Sequence, residues 1–418
     1  MSQASDPLHP VPSRVDVAIA GGGMAGLTLA AALGKAGLSV AVIDRDKPSS
    51  HVAPDYDGRA SAIALGSARV FQGVDLWPSL QDHAQPIWDI RVVDGHVLRG
   101  VSPLFLHYDH SDVGDDPFGY IIENRYTRSG LHRLIPTLDS VTWLAPDMVT
   151  GVDRDAAAAT VHLQSGTSLR ASLVIAADGK NSALRAGAGI RVTGWDYDQT
   201  SIVCTVRHAR SHQGTAVELF LPGGPFAMLP MTDDRSNIVW SDRRDRAAGI
   251  MALDDDAFLA ELSARFGDWL GDIELIGPRF AFPLSLGHAE TYIGNRLALL
   301  GDAGHAIHPI AGQGLNMGLR DVAALAEVLV DAQRLGMDLG SVEVLRRYER
   351  WRRFDNVLLA AVTDGLTRLF SNNVPPVRVV RDLGLAAVNR IPPAKTFLMR
   401  HAMGIVGELP RLIRGEAL

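Results

Sequence analysis

The chain has 418 residues, 47% apolar and 21% charged, the balance of a folded protein large enough for about two or three core-sized units. Forty Lys and Arg against 47 Asp and Glu leave a net charge of −7, which argues against a general nucleic-acid surface. The single cysteine, Cys204, excludes an intramolecular disulfide and a cysteine metal cluster.

Residues 1–14 contain three prolines and are expected to form a flexible leader. No basic segment followed by an apolar one opens the chain, and no run reaches the roughly 18 apolar residues of a membrane span. The expected address is therefore a bacterial cytoplasm or an organelle matrix. Val15–Ala20 is mostly apolar, as a buried parallel strand is. Gly21-Gly-Gly23-Met-Ala-Gly26 follows it, then an Ala- and Leu-rich helix to Lys35 that Gly37 ends. A second strand, Ser39–Ile43, ends in Asp44. This is the spacing of a dinucleotide-binding βαβ unit. Gly21 permits the tight turn, Gly23 lets backbone approach a pyrophosphate, and Gly26 lets helix and strand pack closely. Asp44 is placed for ribose hydroxyls. The glycines leave FAD and NAD open, whereas the acid at Asp44 disfavours a 2′-phosphate.

Arg59 lies in the run Asp57–Ser67 that leads into a helix. Phe118–Asn124 reads as a strand meeting a helix, with Arg128 one turn inside. Ser172–Ala177 is another apolar strand, ending in Asp178-Gly179 with Ser182 and Arg185 beyond. A polar cluster at a strand's carboxyl end suits a ligand crevice. From about 195 the pattern changes to short strands: Gln199–His208, Thr215–Leu221, Phe226–Met231 and Ser236–Ser241. Turn residues separate them. An inserted antiparallel sheet is expected to roof the crevice. Phe226 and Met228 are candidate pocket residues, with ordinary core packing as the competing reading, and Cys204 is expected to be a buried strand thiol.

Arg296–Leu300 reads as a strand ending in Gly301-Asp302. Gly312-Gln313-Gly314 then opens a helix through Leu315 and Asn316 to about Ala332. Helix N-termini of this kind stabilise negative charge. His305 and His308 have no third ligand nearby, so no metal is expected.

Three patterns agree: the glycine run Gly21–Gly26, Asp178-Gly179 and Gly301-Asp302. On them the chain resembles the FAD-dependent aromatic hydroxylases related to para-hydroxybenzoate hydroxylase. Within that group it is most similar to the ubiquinone-biosynthesis hydroxylases. Their His-Pro-x-x-Gly-Gln-Gly-x-Asn-x-Gly run stands at His308–Gly318, followed by Asp321-Val322. The similarity continues through Trp195–Gln199, Gly224-Pro225, Pro283-Leu284, Tyr348–Asn356 and Leu369–Asn372. One departure lies in Ala216-Val-Glu218-Leu-Phe220, where relatives often carry an aromatic and an arginine at the positions of Val217 and Leu219.

The resemblance implies an α/β fold: a Rossmann-like FAD-binding domain with an inserted antiparallel-sheet substrate domain and a helical C-terminal region. The expected FAD domain comprises 15–80, 120–190 and 285–345, the substrate domain 81–119 and 191–284, and the helical region 346–418. Gly21, Gly23 and Gly26 would then hold the pyrophosphate and Asp44 the ribose. Arg59 and Arg128 would lie along the FAD, and Asp302 at its ribityl–pyrophosphate region. Gly312, Gln313, Gly314, Leu315 and Asn316 would meet the isoalloxazine, with Pro309 beside its reactive carbon. Asp178 and Gly179 would also help NAD(P)H reduce the flavin. With one dinucleotide fingerprint, NAD(P)H is a transient reductant. The expected reaction is ring hydroxylation through a flavin hydroperoxide, so no catalytic triad or metal is expected.

The family's polyprenylphenol substrate is almost insoluble in water, so a membrane surface or enzymes of a ubiquinone-biosynthesis complex are expected partners. Residues 378–418 carry seven Lys or Arg against three acids, and Leu398, Met399, Ala402, Met403 and Val406 recur at helical spacing. A membrane contact and a helix packed on the FAD domain both fit. A halogenase is disfavoured, because Gly194–Gln199 does not supply the Gly-Trp-x-Trp-x-Ile-Pro run. An FAD-dependent oxidase on another aromatic substrate and a non-catalytic flavoprotein scaffold are the alternatives.

Overall fold

The computed structural model describes residues 11–52, 58–96, 100–307, 312–370 and 391–418. The expected leader falls almost wholly outside them, and so do His308 and Pro309.

A first sheet has five parallel strands in the order β18-β11-β1-β2-β8. They are β1 (Arg14–Ala20), β2 (Val40–Ile43), β8 (Val141–Leu144), β11 (Ser168–Ala176) and β18 (Leu297–Leu299). Val17–Ala20, Val40–Ile43, Leu173–Ala176 and Leu297–Leu299 are buried, as strands covered on both faces must be. Three short antiparallel strands complete the sheet: β9 (Val149–Arg154), β10 (Ala159–Leu163) and β17 (Ile293–Gly294). β18 is shorter than the expected Arg296–Leu300. Arg296 takes a left-handed backbone (φ 49°), and its buried guanidinium donates to the Ser172 carbonyl and to Asp338.

α1 (Met24–Lys35) packs against α7 (Gln313–Arg334). α7 is buried from Asn316 through Ala326, so its first turns lie inside the molecule. A small sheet joins β3 (Ala60–Ala64), β7 (Gly119–Glu123) and β4 (Gln85–Pro86). α2 (Leu65–Gly73) follows β3, α3 (Asn124–Leu134) follows β7, and α4 (Ala183–Gly187) lies beyond β11.

The third sheet has eight strands. They are β5 (Asp89–His96), β6 (Gly100–Asp109), β12 (Val192–His208), β13 (Thr215–Leu221), β14 (Gly224–Met231), β15 (Arg235–Arg243), β16 (Ile273–Ala289) and β19 (His305–Ala306). Their order is β19-β16-β12-β15-β14-β13-β5-β6. All pairings are antiparallel except β5 with β13, so the insert is mixed where a purely antiparallel sheet was expected. β12 and β16, 17 residues each, run from the outer end of this sheet back to the first unit and are not the short strands expected.

α5 (Arg244–Met251) and α6 (Asp255–Phe266) cover one face of the third sheet. Ile202, Cys204, Leu219, Phe226, Met228, Ile238 and Trp240 point into that layer. The opposite face presents Ala216, Leu229 and Met231, which cluster with Leu65, Ile121, Ala60 and Ala62 of the first unit. Phe226 and Met228 are therefore core residues against α5 and α6, not pocket residues. Successive side chains of β14 alternate faces, and the even-numbered set points away from the crevice.

α8 (Val342–Phe370) is a 29-residue helix that starts before residue 346 and continues without interruption. α9 (Pro392–Ala402) and α10 (Arg411–Arg414) follow. Met399 and Met403 are buried in the cluster with Leu65, Phe118 and Ala216, so the inner side of α9 is packed against the body of the protein. Lys395 pairs with Asp112, and Arg411 with Glu327 and Asp331. No helix among the described residues is long and apolar enough to cross a membrane.

Candidate active site

The site grows from the carboxyl ends of β1, β11 and β18. Gly21 has φ 114°, and a side chain there would put Cβ 2.2 Å from the Ala177 oxygen. At Gly26 a Cβ would sit 2.1 Å from the Gly21 oxygen, while at Gly23 nothing lies within 4 Å. Gly21 and Gly26 thus fold the turn, and Gly23 lines open space at the helix end. No side chain caps the N-terminus of α1, so its first N–H groups are available to a ligand.

Asp44 Oδ2 accepts from Gly22 N–H at 2.5 Å and Oδ1 from Asp46 N–H at 2.8 Å. These bonds pin the carboxylate beside the glycine turn. Three buried polar atoms close by have no hydrogen-bond partner among the described residues: the donor Trp143 Nε1, His132 Nε2 and the acceptor Asp178 Oδ1. Trp143 Nε1 is 3.2 Å from where a Cβ on Gly22 would be. Arg128 lies on α3 one turn before His132. Burial pushes the His132 imidazole down to about 4, and His51 and Arg128 add to the effect. His132 therefore stands neutral beside Trp143, with which it makes an edge contact at 4.9 Å.

Gly301-Asp302 follows β18. The Asp302 carboxyl is raised by the protein around it, a push that His305, Arg59 and Lys180 oppose, yet it keeps an exposed face. It therefore opens to solvent at the end of β18. Arg59 lies 4.7 Å over the Phe282 ring, between the two units. The loops holding Asp178 and Asp302 are tied together: Arg185 Nη1 donates to the Ala303 carbonyl at 2.8 Å and Nη2 to the Lys180 carbonyl at 3.0 Å. Ser182 caps the short helix that carries Arg185.

Gly312 enters α7 with φ 61° and would touch Ala62 if it carried a Cβ (3.0 Å). Gly314 again faces open space, and no side chain caps this helix either. Asn316 fastens it to β3: Oδ1 accepts from Ala64 N–H at 2.9 Å, and Nδ2 donates to the Ala62 and Gly312 carbonyls at 2.7 and 3.1 Å. Gln313 and Leu315 flank the turn, and Leu315 packs on the core.

Beneath the Asp302 loop lies a network that joins two of the runs shared with the family, a pairing that their spacing in sequence does not reveal. Asp321 on α7 is fully buried and accepts from His305 (2.5 Å), Arg352 Nε (2.8 Å), Asn356 Nδ2 (3.2 Å) and Gly301 N–H (3.3 Å). His305 is thus committed to a carboxylate.

Two uncapped helix ends, glycines facing open space and orphaned buried polar atoms line one extended crevice, and they fit a long dinucleotide with a planar ring. The sequence profile of the FAD binding domain matches residues 14–99 and 147–354. The chain is 50% identical over 406 residues to the ubiquinone hydroxylase UbiL of Rhodospirillum rubrum, covering 96% of this chain and 93% of that protein. The chain belongs to the FAD-dependent aromatic hydroxylases of the ubiquinone-biosynthesis family. The 3-demethoxyubiquinol 3-hydroxylase of Escherichia coli is 34% identical, with 93% of this chain and 98% of that protein covered. The p-nitrophenol 4-monooxygenase PnpA of Pseudomonas putida has the same fold. It superposes with a TM-score of 0.77 over 95% of this chain and 100% of its own, at 20% identity. Like other members of this hydroxylase family, the chain is an FAD-dependent aromatic monooxygenase.

Proposed function

We propose that the enzyme hydroxylates the aromatic ring of a polyprenylphenol intermediate of ubiquinone biosynthesis, with NAD(P)H and O2 as co-substrates and without a metal. The observation that carries this reading is the 50% identity to a ubiquinone hydroxylase along nearly the whole chain, over a crevice built for a dinucleotide. Bound FAD supplies the redox chemistry, accepting electrons from NAD(P)H and passing one oxygen atom of O2 to the ring.

The chain's own residues bind, orient and exclude water. Gly21, Gly23 and Gly26 bring the N-terminus of α1 to the pyrophosphate, and Asp44 takes the ribose hydroxyls. Arg59 and Arg128 run along the cofactor, and Asp302 meets the ribityl–pyrophosphate region. Gly312 to Asn316 present N–H groups to the pyrimidine edge of the isoalloxazine, where a helix N-terminus stabilises negative charge. Asp178 and Gly179 assist the visit of NAD(P)H. In domain terms, 15–80, 120–190 and 285–345 carry the cofactor, and the strands of 81–119 and 191–284 roof the substrate.

A lipid-like substrate calls for contact with a membrane surface. The support is the exposed apolar residues Phe354, Val357, Leu358 and Val362 of α8 and Phe397 and Leu398 of α9, with exposed Arg346, Arg347, Arg350 and Arg353 also on α8. Phe354→Ser with Leu358→Ser should abolish co-sedimentation with anionic vesicles, and unchanged binding would remove this contact.

The deciding experiment mixes the purified protein with NAD(P)H, O2 and short-chain polyprenylphenols and weighs the products. One added oxygen coupled to NAD(P)H consumption supports the reading. Peroxide alone with every phenol tested would favour an oxidase.

A further inference from the structure

Glu218 stands in the middle of β13 on the face turned toward the FAD-binding unit. The alternation of this strand decides that orientation. Val217 and Leu219 pack with the α5–α6 layer, whereas Ala216 clusters with β3 and α2 of the first unit. Directly opposite Glu218 are Ala227 on β14 and Val92 on β5. Beyond Ala227 comes Val239 on β15, and beside it Asn237 donates to the Gly58 carbonyl. The patch therefore abuts the Gly58-Arg59 loop and β3, and Asn316 and Gly312 bring the first turn of α7 to the other side of β3.

Among the described residues, no hydrogen bond or ion pair holds this carboxylate. It keeps a partial opening to solvent, and the aliphatic strand surface around it raises its carboxyl to about 7, with burial as the sole cause. An unpartnered acid in such a place costs stability, so packing does not account for it. The ionisable groups that share the face are Tyr108 on β6, Asp94 on β5, in register beside Phe220, and Arg235 on β15, whose guanidinium is held by Glu123 of β7. β14 contributes Ala227 and Leu229, and β15 contributes Val239 and Asn237. From the first unit the Gly58 loop brings Arg59, whose charge sits over Phe282 on β16. Asp364 on α8 accepts from Tyr197 on β12.

We propose that Glu218 is a catalytic residue that accepts a hydrogen bond from the phenolic hydroxyl of the substrate and takes its proton as the ring is attacked. This rests on the hydroxylase reading above, whose FAD chemistry supplies the oxygen. One oxygen atom of O2 forms the new C–O bond at a ring carbon ortho or para to the hydroxyl. As it does, the O–O bond breaks, and the second oxygen leaves as water with the electrons that NAD(P)H supplied. In the same step the phenol O–H bond breaks. Its electron pair closes a ring C=O, and the proton moves to the carboxylate. The ring hydrogen then leaves to water as a proton, and its electron pair returns to the ring. The carbonyl oxygen takes back the proton held by Glu218, which restores both the phenol and the carboxylate. An ordinary carboxylate is a weak base toward a phenol, whose pKa is about 10. The raised Glu218 carboxyl narrows that gap, and a base matched in this way is worth about 10²–10⁴-fold.

The test uses the FAD-loaded enzyme with two substitutions. Glu218→Gln should bind a short-chain polyprenylphenol within about threefold of wild type, read from flavin absorbance, while kcat falls about 100-fold or more. The rise of wild-type kcat with pH through about 7 should vanish in this variant. Glu218→Leu should bind the phenol and its O-methyl ether alike, whereas wild type at pH 8 favours the phenol about tenfold, the range of one hydrogen bond to a charged acceptor. A Glu218→Gln enzyme with kcat within threefold and an intact pH limb would overturn the proposal, as would wild type binding both ligands equally. The binding comparison needs no turnover. It decides on Glu218 even where wild type makes no hydroxylated product, an outcome that would sink the hydroxylase reading instead.

Discussion

Asp321 on α7 and Arg352 on α8 meet with Nε 2.8 Å from Oδ1 in a place closed to water. His305 bonds the other carboxylate oxygen, which also accepts the N–H of Gly301. The pair thus joins two long helices and the loop that carries Asp302. Removing one member of a buried pair leaves the other charge uncompensated, at a cost of about 3–5 kcal/mol. Arg352→Met should lower stability by that amount in denaturant titrations and loosen FAD. Retained stability with retained flavin would mean that the network is not what holds the loop.

The same network makes a prediction about acid. Burial alone would push the Asp321 carboxyl up, but His305 and Arg352 outweigh it and hold it at about 2, below the ordinary 3.8. The folded form therefore binds fewer protons than the unfolded chain between these values. Its contribution is fully present above about pH 4 and is lost as pH falls through about 2. Unfolding followed by circular dichroism should show Asp321→Asn losing this part of the acid dependence while being less stable at pH 7.

Asn316 satisfies one backbone N–H and two carbonyls at the mouth of α7. Asn316→Ala leaves the buried Ala64 N–H and Ala62 carbonyl without these partners, which costs about 1–3 kcal/mol per group. Stability should fall by a few kcal/mol, and titration of the apoprotein with FAD should show weaker binding. An unchanged FAD affinity would separate this helix end from the cofactor.

Much of the crevice was legible because its parts are local. The turn at Gly21–Gly26, the acid after β2 and the glycine entry to α7 each follow from short-range geometry, and their spacing carried the family resemblance. The facing of β14 was not legible. Nearly every residue of Gly224–Met231 is buried, so the strand shows no polar–apolar alternation to reveal which side meets the crevice. For that reason the sequence left Phe226 and Met228 open between pocket and core packing, and the structure places them in the core. The bond from Arg352 to Asp321 joins residues on different helices, and their sequence separation matches no helical period. Arg185 reaches the Asp302 loop across 118 residues. Nothing in the run Ala216–Phe220 announces that Glu218 lacks a partner, because that depends on what four neighbouring strands bring to the same face.

Cys204 offers an inexpensive check of the third sheet. It lies in β12 under the α5–α6 layer, and burial pushes its thiol up to about 12. The thiolate is the reactive form. Native protein should therefore leave a disulfide-exchange reagent unreacted, and denaturant should release one thiol per chain. Rapid reaction of the native protein would contradict the packing of β12.

Gly23 and Gly26 separate folding from cofactor binding. A Cβ at Gly26 would lie 2.1 Å from the Gly21 oxygen, in backbone that has no room to move. Gly26→Ala should therefore destabilise the apoprotein by several kcal/mol, at the upper end of what overpacking costs (~1–3 kcal/mol and occasionally more). Gly23 is different: nothing lies within 4 Å of its absent Cβ, and its φ of −71° suits any residue. Gly23→Ala should keep apoprotein stability within about 1 kcal/mol, the range of a Gly–Ala exchange at a compatible position. It should nonetheless lose FAD affinity by tenfold or more, because the methyl group occupies the path of the pyrophosphate to the α1 N–H groups. Thermal unfolding of the apoprotein and fluorescence titration with FAD give the two numbers. A Gly23→Ala protein that binds FAD as wild type does would move the pyrophosphate away from the N-terminus of α1.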